Sequence, residues 1–219
     1  MQFRDFTEGE REDLEQRRRD QVAAAERQRD GHERTGWLLA SGAPDALRAD
    51  PARVPREIRT WVRSWRGRPE GTALVCGPVG TGKSMAVQWA MAELWARGRW
   101  ADEHHALDWR PLGSALRIRA VDLQRAVYDG KADRRATWEA VSFLAIEDVR
   151  VLPESAWRLA DELHALVDLR CDHSRATVLT TNVTPEAFEA AYEPLFSRLV
   201  GAKPGLVKVL GRDQRRATQ

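Results

Sequence analysis

The chain has 219 residues, of which 42% are hydrophobic and 31% are charged, and its formal net charge is +2. This length suits one globular domain with an extension, and the net charge is too small to indicate nucleic-acid binding by itself. No hydrophobic run approaches the ~20 residues that cross a bilayer, and no secretory signal opens the chain. Cys76 and Cys171 are isolated in the sequence. We therefore expect a cytoplasmic protein without disulfides and without membrane partners.

The first 50 residues differ in composition from the rest of the chain. Residues 8–34 are dense in charge, lack proline and carry only a thin apolar stripe at helical spacing. Such a stripe is too small to stabilise an independent helix. The segment is therefore either a solvated helical or disordered arm, or a segment that docks on a partner. Residues 41–55 are rich in Pro, Ala and Asp, which predicts a linker. We place an N-terminal arm and linker at residues 1–50 and the main domain at residues 51–219.

Predicted helices and strands alternate through the main domain. A helix over residues 55–66 places Ile58, Trp61, Val62 and Trp65 on one face, which predicts core packing. Strands are predicted at 73–76, 116–120, 143–147, 177–181 and 206–210, and further helices at 83–97, 121–129, 155–170 and 184–191. This alternation indicates an α/β fold with a parallel sheet between helices.

The strand at 116–120 alternates apolar residues with Arg117 and Arg119, which is typical of a strand at a sheet edge. Trp37, Trp100 and Trp109 fall between predicted elements, in loops where aromatic side chains can stack on nucleic-acid bases.

Residues 77–84, GPVGTGKS, match the phosphate-binding pattern G-x-x-x-x-G-K-[ST], and they lie between a predicted strand and a predicted helix. Glycines let the backbone turn its N–H groups toward phosphate oxygens, and the helix N-terminus adds positive potential. The lysine reaches the β- and γ-phosphates, and the serine hydroxyl coordinates Mg²⁺. The sequence therefore predicts a site for ATP and Mg²⁺, formed by Gly77, Pro78, Val79, Gly80, Thr81, Gly82, Lys83 and Ser84.

Several stretches, in this order, resemble the AAA+ ATPases of the DnaC-type helicase loaders and of the IstB-type transposition helpers. They are LVCGPVGTGKS, SFLAIEDV, DLRCDHSRATVLTTNVTPEAF and LFSRLV, and the resemblance extends from residue 72 to about residue 216. It implies a P-loop NTPase with an AAA+ core and a short C-terminus that lacks a full helical lid. The first 70 residues, which include the charged extension, carry no clear match.

The resemblance also implies roles for particular residues. Asn182 corresponds to the polar sensor that orients the attacking water, and Arg198 to the arginine finger. Acting in trans, Arg198 would reach the γ-phosphate of a neighbouring subunit, so catalysis would require self-association. Arg215 is a candidate second phosphate sensor.

The two acids of FLAIEDV stand in the reverse of the usual order, which is Asp followed by Glu or Asp. Glu147 occupies the magnesium-side position and Asp148 the water-orienting position. Asp148 is one methylene shorter than glutamate, so its carboxylate would fall about 1 to 1.5 Å short of the water, which can cost about a hundredfold in rate. The small residue expected two positions later is Arg150. The pair therefore predicts a weak ATPase in which Ser84 and Glu147 hold Mg²⁺.

The function that the resemblance implies is that of a DnaC-like loader, which places a replicative DNA helicase on single-stranded DNA. Two alternatives remain open at this point. One is an IstB-like transposition helper ATPase, and the other is an adaptor in which ATP stabilises a binding surface without being hydrolysed.

Overall fold

A computed structural model describes residues 16, 31–103, 106–130, 132–151 and 157–210. The chain divides into two compact units, Met1–Trp37 and Leu38–Gln219. In the first unit, Gln16 and residues 31–37 are helical, and the rest of the predicted charged arm lies outside the described residues. Among the residues that the structure describes, no helix is long and apolar enough to span a membrane.

The second unit is an α/β domain. Its strands are β1 (Thr72–Cys76), β2 (Arg99–Glu103), β3 (Ala106–Arg110), β4 (Ala115–Arg119), β5 (Phe143–Val149), β6 (Ala176–Thr181) and β7 (Gly205–Lys208). Its α-helices are α1 (Arg56–Ser64), α2 (Lys83–Ala96), α3 (Ala120–Tyr128), α4 (Ala132–Ala140), α5 (Trp157–Asp172), α6 (Pro185–Ala191) and α7 (Glu193–Val200). Each predicted element is present, with its ends displaced by no more than two residues.

Five strands form a parallel sheet in the order β4-β5-β6-β1-β7. The predicted edge position of β4 is confirmed, because β4 pairs only with β5 in this sheet. β1 and β5 lie one strand apart, with β6 between them. The carboxyl ends of parallel strands meet at one edge of a sheet, and this order therefore brings the phosphate loop, the acids of β5 and Asn182 together.

Helices cover both faces of the sheet, as the alternation predicted. On one face, Leu144 and Ile146 of β5 join a large apolar cluster with α3, α5, α6 and α7. On the other face, Phe143 packs against Trp61 and Trp65 of α1, with ring centroids 6.4 and 5.8 Å away. Successive side chains of a strand point to opposite faces, so β5 is apolar on both. The predicted core role of the α1 tryptophans is confirmed, since both are buried.

Residues 41–55 are not the free linker that their composition predicted. Short 3-10 helices at Ala46–Arg48 and Pro51–Arg53 shape the segment. Ala43, Ala46 and Val54 are buried, so the segment is part of the second unit and not a connection leading to it. Composition alone did not indicate this packing, because small residues such as alanine occur in linkers and in tight contacts alike.

The loop interpretation of Trp37, Trp100 and Trp109 is also wrong. Trp37 is helical, and Trp100 and Trp109 are directly paired in an antiparallel hairpin of β2 and β3. Helices α4 and α7 had not been predicted either. α4 has a single buried anchor, Trp138, and so gives little hydrophobic periodicity.

Arg170 of α5 has the most completely buried charge in the described part of the chain, with 0% of its surface exposed. Its guanidinium donates to the Thr177 hydroxyl at 2.8 Å and to the backbone carbonyls of Trp138, Val141 and Ala176 at 2.7, 2.8 and 2.6 Å. Burial lowers the pKa of Arg170 to about 9, so the group is still charged at neutral pH. Arg170 ties the end of α4 to the start of β6, which fixes the strand that leads to Asn182.

Candidate nucleotide site

The phosphate loop follows β1 and ends where α2 begins at Lys83. Gly80 and Gly82 have φ angles of +81° and +96°, a left-handed backbone that glycine adopts without strain. Gly77 is needed for another reason: a Cβ atom on it would lie 2.3 Å from the carbonyl oxygen of Val209. Glycine therefore occurs where the loop backbone is left-handed and where the carbonyl of Val209 leaves no room for a side chain.

Lys83 is 8% exposed and points into the loop. Its ammonium donates to the carbonyl oxygens of Gly77 and Pro78, each at 2.7 Å. Thr81 also donates to the Pro78 carbonyl, at 2.9 Å. The lysine thus sits at the centre of the loop, where an ammonium can exchange carbonyl oxygens for phosphate oxygens.

A pocket of about 790 Å³ opens beside the loop. Its size is within the range of small-molecule sites. Five cationic and three acidic side chains line it, so the local charge favours an anion. The cationic ones are Arg48, Arg53, Lys83, Arg119 and Arg150, and the acidic ones are Asp45, Glu147 and Asp148. Gly80, Gly82, Ser84 and Asn182 line the same pocket, so most of the predicted site residues converge.

Glu147 is the most buried acid of the pocket, with 4% of its surface exposed. Its Oε2 atom accepts hydrogen bonds from Nε and Nη2 of Arg117 at 2.9 and 2.5 Å. Arg117 also donates through Nη1 to the carbonyl of Gly42 at 2.9 Å. The β4–β5 register places Arg117 opposite Ala145, two residues before Glu147.

Sequence reasoning missed this role for Arg117, because an arginine that alternates with apolar residues is typical of a solvated edge. The signal available in the sequence was the position of Arg117. It lies two residues before Arg119, near the end of the edge strand β4, which is the neighbour of the acidic strand β5.

Magnesium has suitable oxygen ligands in this pocket. The Oε1 atom of Glu147 is buried and has no hydrogen-bond partner among the described residues, and the Ser84 hydroxyl lines the same cavity. Within the described part, no group of three or more His, Cys, Asp and Glu residues forms a metal cluster by itself. Mg²⁺ is commonly held by one or two protein oxygens together with water and substrate phosphates. Ser84 and Glu147 fit that mode of binding.

Asp148 lies at an irregularity in β5. The pairing of β5 with β6 shifts register between Ile146 and Val149, and Asp148 has a left-handed φ of +59°. Its Oδ1 atom accepts from Asn182 Nδ2 at 2.9 Å, and its Oδ2 atom accepts from Arg150 Nη2 at 2.8 Å. The predicted water-orienting acid and the predicted sensor are therefore in direct contact, and Arg150 is a third partner.

Arg198 lies outside the pocket. It forms ion pairs with Asp168 at 2.8 Å and with Asp172 at 2.5 Å, both on α5 of the same chain. A separate pocket beside it is lined by Ser197 and Asp172. Arg198 therefore does not complete the site of its own chain, and its role in trans stays a prediction. Arg215, the candidate second sensor, lies outside the described residues.

No protein-family model matches the sequence, and no curated protein matches it. Among solved structures, DnaI has a TM-score of 0.58 at 15% identity and covers 76% of this chain and 93% of its own. The DnaC helicase loader has a TM-score of 0.50 at 16% identity and covers 70% and 86%. This chain has the AAA+ P-loop fold. The resemblance to DnaC-type ATPases is confirmed at the level of the fold.

A third structure is the replication initiator DnaA bound to AMPPCP and single-stranded DNA, with a TM-score of 0.53 at 18% identity. The match covers 75% of this chain but only 51% of that DnaA chain, so this AAA+ chain spans about half the length of that neighbour. The solved neighbours thus include proteins named for replication initiation and for helicase loading.

Proposed function

We propose that this AAA+ protein binds ATP and Mg²⁺, hydrolyses ATP slowly, and acts as a DnaC-like loader of a replicative helicase. The observation that carries ATP binding is the convergence of the phosphate loop, the central Lys83 and a pocket with an excess of positive charge. Ser84 and Glu147 would hold Mg²⁺, which shields the phosphate charges when bound.

Binding of a triphosphate requires Lys83 to turn from two loop carbonyls toward phosphate oxygens. This exchange replaces two neutral acceptors by charged ones, and charge-assisted hydrogen bonds are about twice as strong. The backbone N–H groups of the loop and the first turn of α2 supply the remaining donors. Lys83 is therefore a residue whose loss should abolish tight nucleotide binding without opening a large cavity.

Slow hydrolysis follows from the second acid. Asp148 is shorter than glutamate, and both of its carboxylate oxygens already accept hydrogen bonds from this chain. Asn182 is placed to orient Asp148, but the catalytic arrangement lacks a cation from Arg198 in a single chain. A neighbouring subunit that provides its Arg198 would supply that charge, and turnover would then depend on assembly.

Loading is favoured over transposition because the solved neighbours described above are named for replication. The non-hydrolysing adaptor remains the second candidate, and the observation that favours it is that both Asp148 oxygens already accept hydrogen bonds from this chain. The proposed partners are a replicative helicase, bound through the charged N-terminal arm, and single-stranded DNA.

Nucleotide binding is tested with a fluorescent ATP analogue titrated into the full chain. Lys83→Ala should weaken binding by about 10- to 100-fold, the range expected for a lost hydrogen bond to a charged group. Arg125→Ala is a matched control, since it removes one cation from an exposed site outside the pocket. Equal affinity of wild type and Lys83→Ala would contradict the assignment of the site.

Helicase loading is tested by size-exclusion chromatography of the full chain with the replicative helicase of its own organism, in ATP and Mg²⁺. We expect a complex that forms with the wild type and weakens with Lys83→Ala. A chain shortened to begin at Leu38, shown by circular dichroism to be folded, should fail to bind if the arm makes the contact. No complex under any nucleotide condition would move the assignment to the transposition helper.

A further inference from the structure

Each carboxylate oxygen of Asp148 already accepts a hydrogen bond from this chain. One oxygen accepts from the Asn182 amide at 2.9 Å, and the other accepts from the Arg150 guanidinium at 2.8 Å. The backbone N–H of Asp148 donates to the Thr180 hydroxyl at 3.2 Å, which holds the left-handed residue in place. A water molecule in the pocket must therefore share an Asp148 oxygen with a donor of this chain.

Arg150 is held in position through its backbone. Its carbonyl oxygen accepts a hydrogen bond at 2.8 Å from the hydroxyl of Tyr192, a residue with 5% of its surface exposed. The Arg150 side chain is 76% exposed on the pocket wall, and its guanidinium reaches back only two residues to Asp148. Exposed ion pairs contribute little to folding stability, so the fold does not depend on this one. The pair lies beside the candidate site, so it is in a position to affect the chemistry of that site instead.

We propose that Arg150 restrains ATP hydrolysis by occupying the Asp148 oxygen that would otherwise accept a hydrogen bond from the attacking water. Arg150 is in this respect a positioning residue, which acts through Asp148. The inference rests on the proposed function, because it concerns the regulation of ATP hydrolysis at the same site.

The restrained step is the attack of water on the γ-phosphorus of ATP. A bond forms between the water oxygen and phosphorus, the bond from phosphorus to the β,γ-bridging oxygen breaks, and ADP and phosphate are released. Asp148 would orient the water and take up its proton, which later passes to solvent or phosphate. An oxygen that already accepts from a guanidinium is a poorer acceptor for that proton. Removal of Arg150 frees Oδ2 while Asn182 still orients the carboxylate through Oδ1.

The test is steady-state ATP hydrolysis by the full chain with Mg²⁺, with nucleotide affinity measured separately by the fluorescent analogue. Arg150→Ala should raise kcat about fivefold, the upper end of the factor that an exposed ion pair provides. KM should change much less than kcat, because the carboxylate acts on the water and not on bound ATP. Arg150→Lys keeps the cation beside Asp148 and should stay near the wild-type kcat.

Two further variants decide whether the effect passes through Asp148. Arg125→Ala, which removes the same charge outside the pocket, should leave kcat unchanged. In an Asp148→Asn background, Arg150→Ala should give no increase, because the carboxylate that it would release is missing. An equal increase in that background would overturn the inference.

A kcat that falls in Arg150→Ala would also overturn it, and would show that the guanidinium assists the reaction as a cation. If ATP binds but Arg150→Ala is no faster than the wild type, the restraint is refuted while nucleotide binding stands. If the wild type does not bind ATP, the proposed function fails and the restraint fails with it.

Discussion

Replacement of Arg117 by methionine is the sharpest structural test of the candidate site. Methionine keeps an unbranched apolar stem, shorter than that of arginine, and removes the charge and all three hydrogen bonds to Glu147 and Gly42. Glu147 would then stay in place, 4% exposed, with no cation beside it and with Oε1 already lacking a partner among the described residues. The variant isolates the cost of an uncompensated buried carboxylate.

The magnitude follows from burial. Removing one member of a buried ion pair costs about 3–5 kcal/mol. The Arg117 side chain is 24% exposed and that of Glu147 is 5% exposed, so water partly screens the pair and the lower end applies. We therefore expect the free energy of unfolding to fall by about 3 kcal/mol. For a domain of this size the midpoint of thermal unfolding should fall by about 6–12 °C.

The assay is urea denaturation followed by circular dichroism, with thermal melts as a second measure. Arg119→Met is a matched control on the same strand, since the Arg119 side chain is 64% exposed and its partner is Asp122 at 3.3 Å. That variant should lose less than about 1 kcal/mol. In an Arg117→Met background, Glu147→Gln should recover most of the loss, because a neutral amide needs no counter-charge.

If Arg117→Met were no less stable than Arg119→Met, the buried charge of Glu147 would not need Arg117. If Glu147→Gln gave no recovery, the loss of stability would arise from the contact with Gly42 or from packing and not from the buried charge.

Two further predictions concern buried groups elsewhere in the domain. Arg170→Met should cost more than about 4 kcal/mol in urea denaturation, because it leaves buried carbonyl acceptors unpaired and removes the connection from α4 to β6; a loss below about 1 kcal/mol would contradict this. Cys76 has a pKa raised by burial from 9.0 to about 11, so its thiol keeps its proton in the folded chain while that of the unfolded chain ionises. Stability should therefore fall between pH 9 and 11 more steeply in wild type than in Cys76→Ala, and parallel curves would show that the thiol is not protected.

The sequence was sufficient for the parts of the fold that depend on local pattern. The five strands of the parallel sheet and the phosphate loop each carry a signal of their own, because strand apolarity, glycine spacing and the lysine are local properties. The hairpin of β2 and β3 was missed because neither of its strands, RWADE and ALDWR, alternates regularly between apolar and polar residues. Helix α4 was missed for a similar reason, since one buried tryptophan does not create a period.

The candidate site was only partly predictable because its most buried ion pair joins residues that are distant in sequence. Glu147 and Arg117 are 30 positions apart, and their contact depends on which strand lies beside β5 and in which register. The reversed order of the two acids did predict an unusual second acid. The structure adds two features to the missing methylene of this acid. The backbone of Asp148 is left-handed, and each of its carboxylate oxygens accepts a hydrogen bond.

Charge pairing within the chain offers a physical reason for slow ATP turnover. Glu147 is paired with Arg117, Asp148 with Arg150, and Arg198 with two acids of α5, while Lys83 is bonded to its own loop. Each group that ATP hydrolysis would use thus has a partner in the chain that it must leave or share. ATP and Mg²⁺ can replace the partners of Lys83 and Glu147 directly, since both line the pocket. The pairs of Asp148 and Arg198 are exposed and therefore weak, and a neighbouring subunit or a protein partner has enough binding energy to exchange them. Nucleotide binding would then come first and turnover only after assembly.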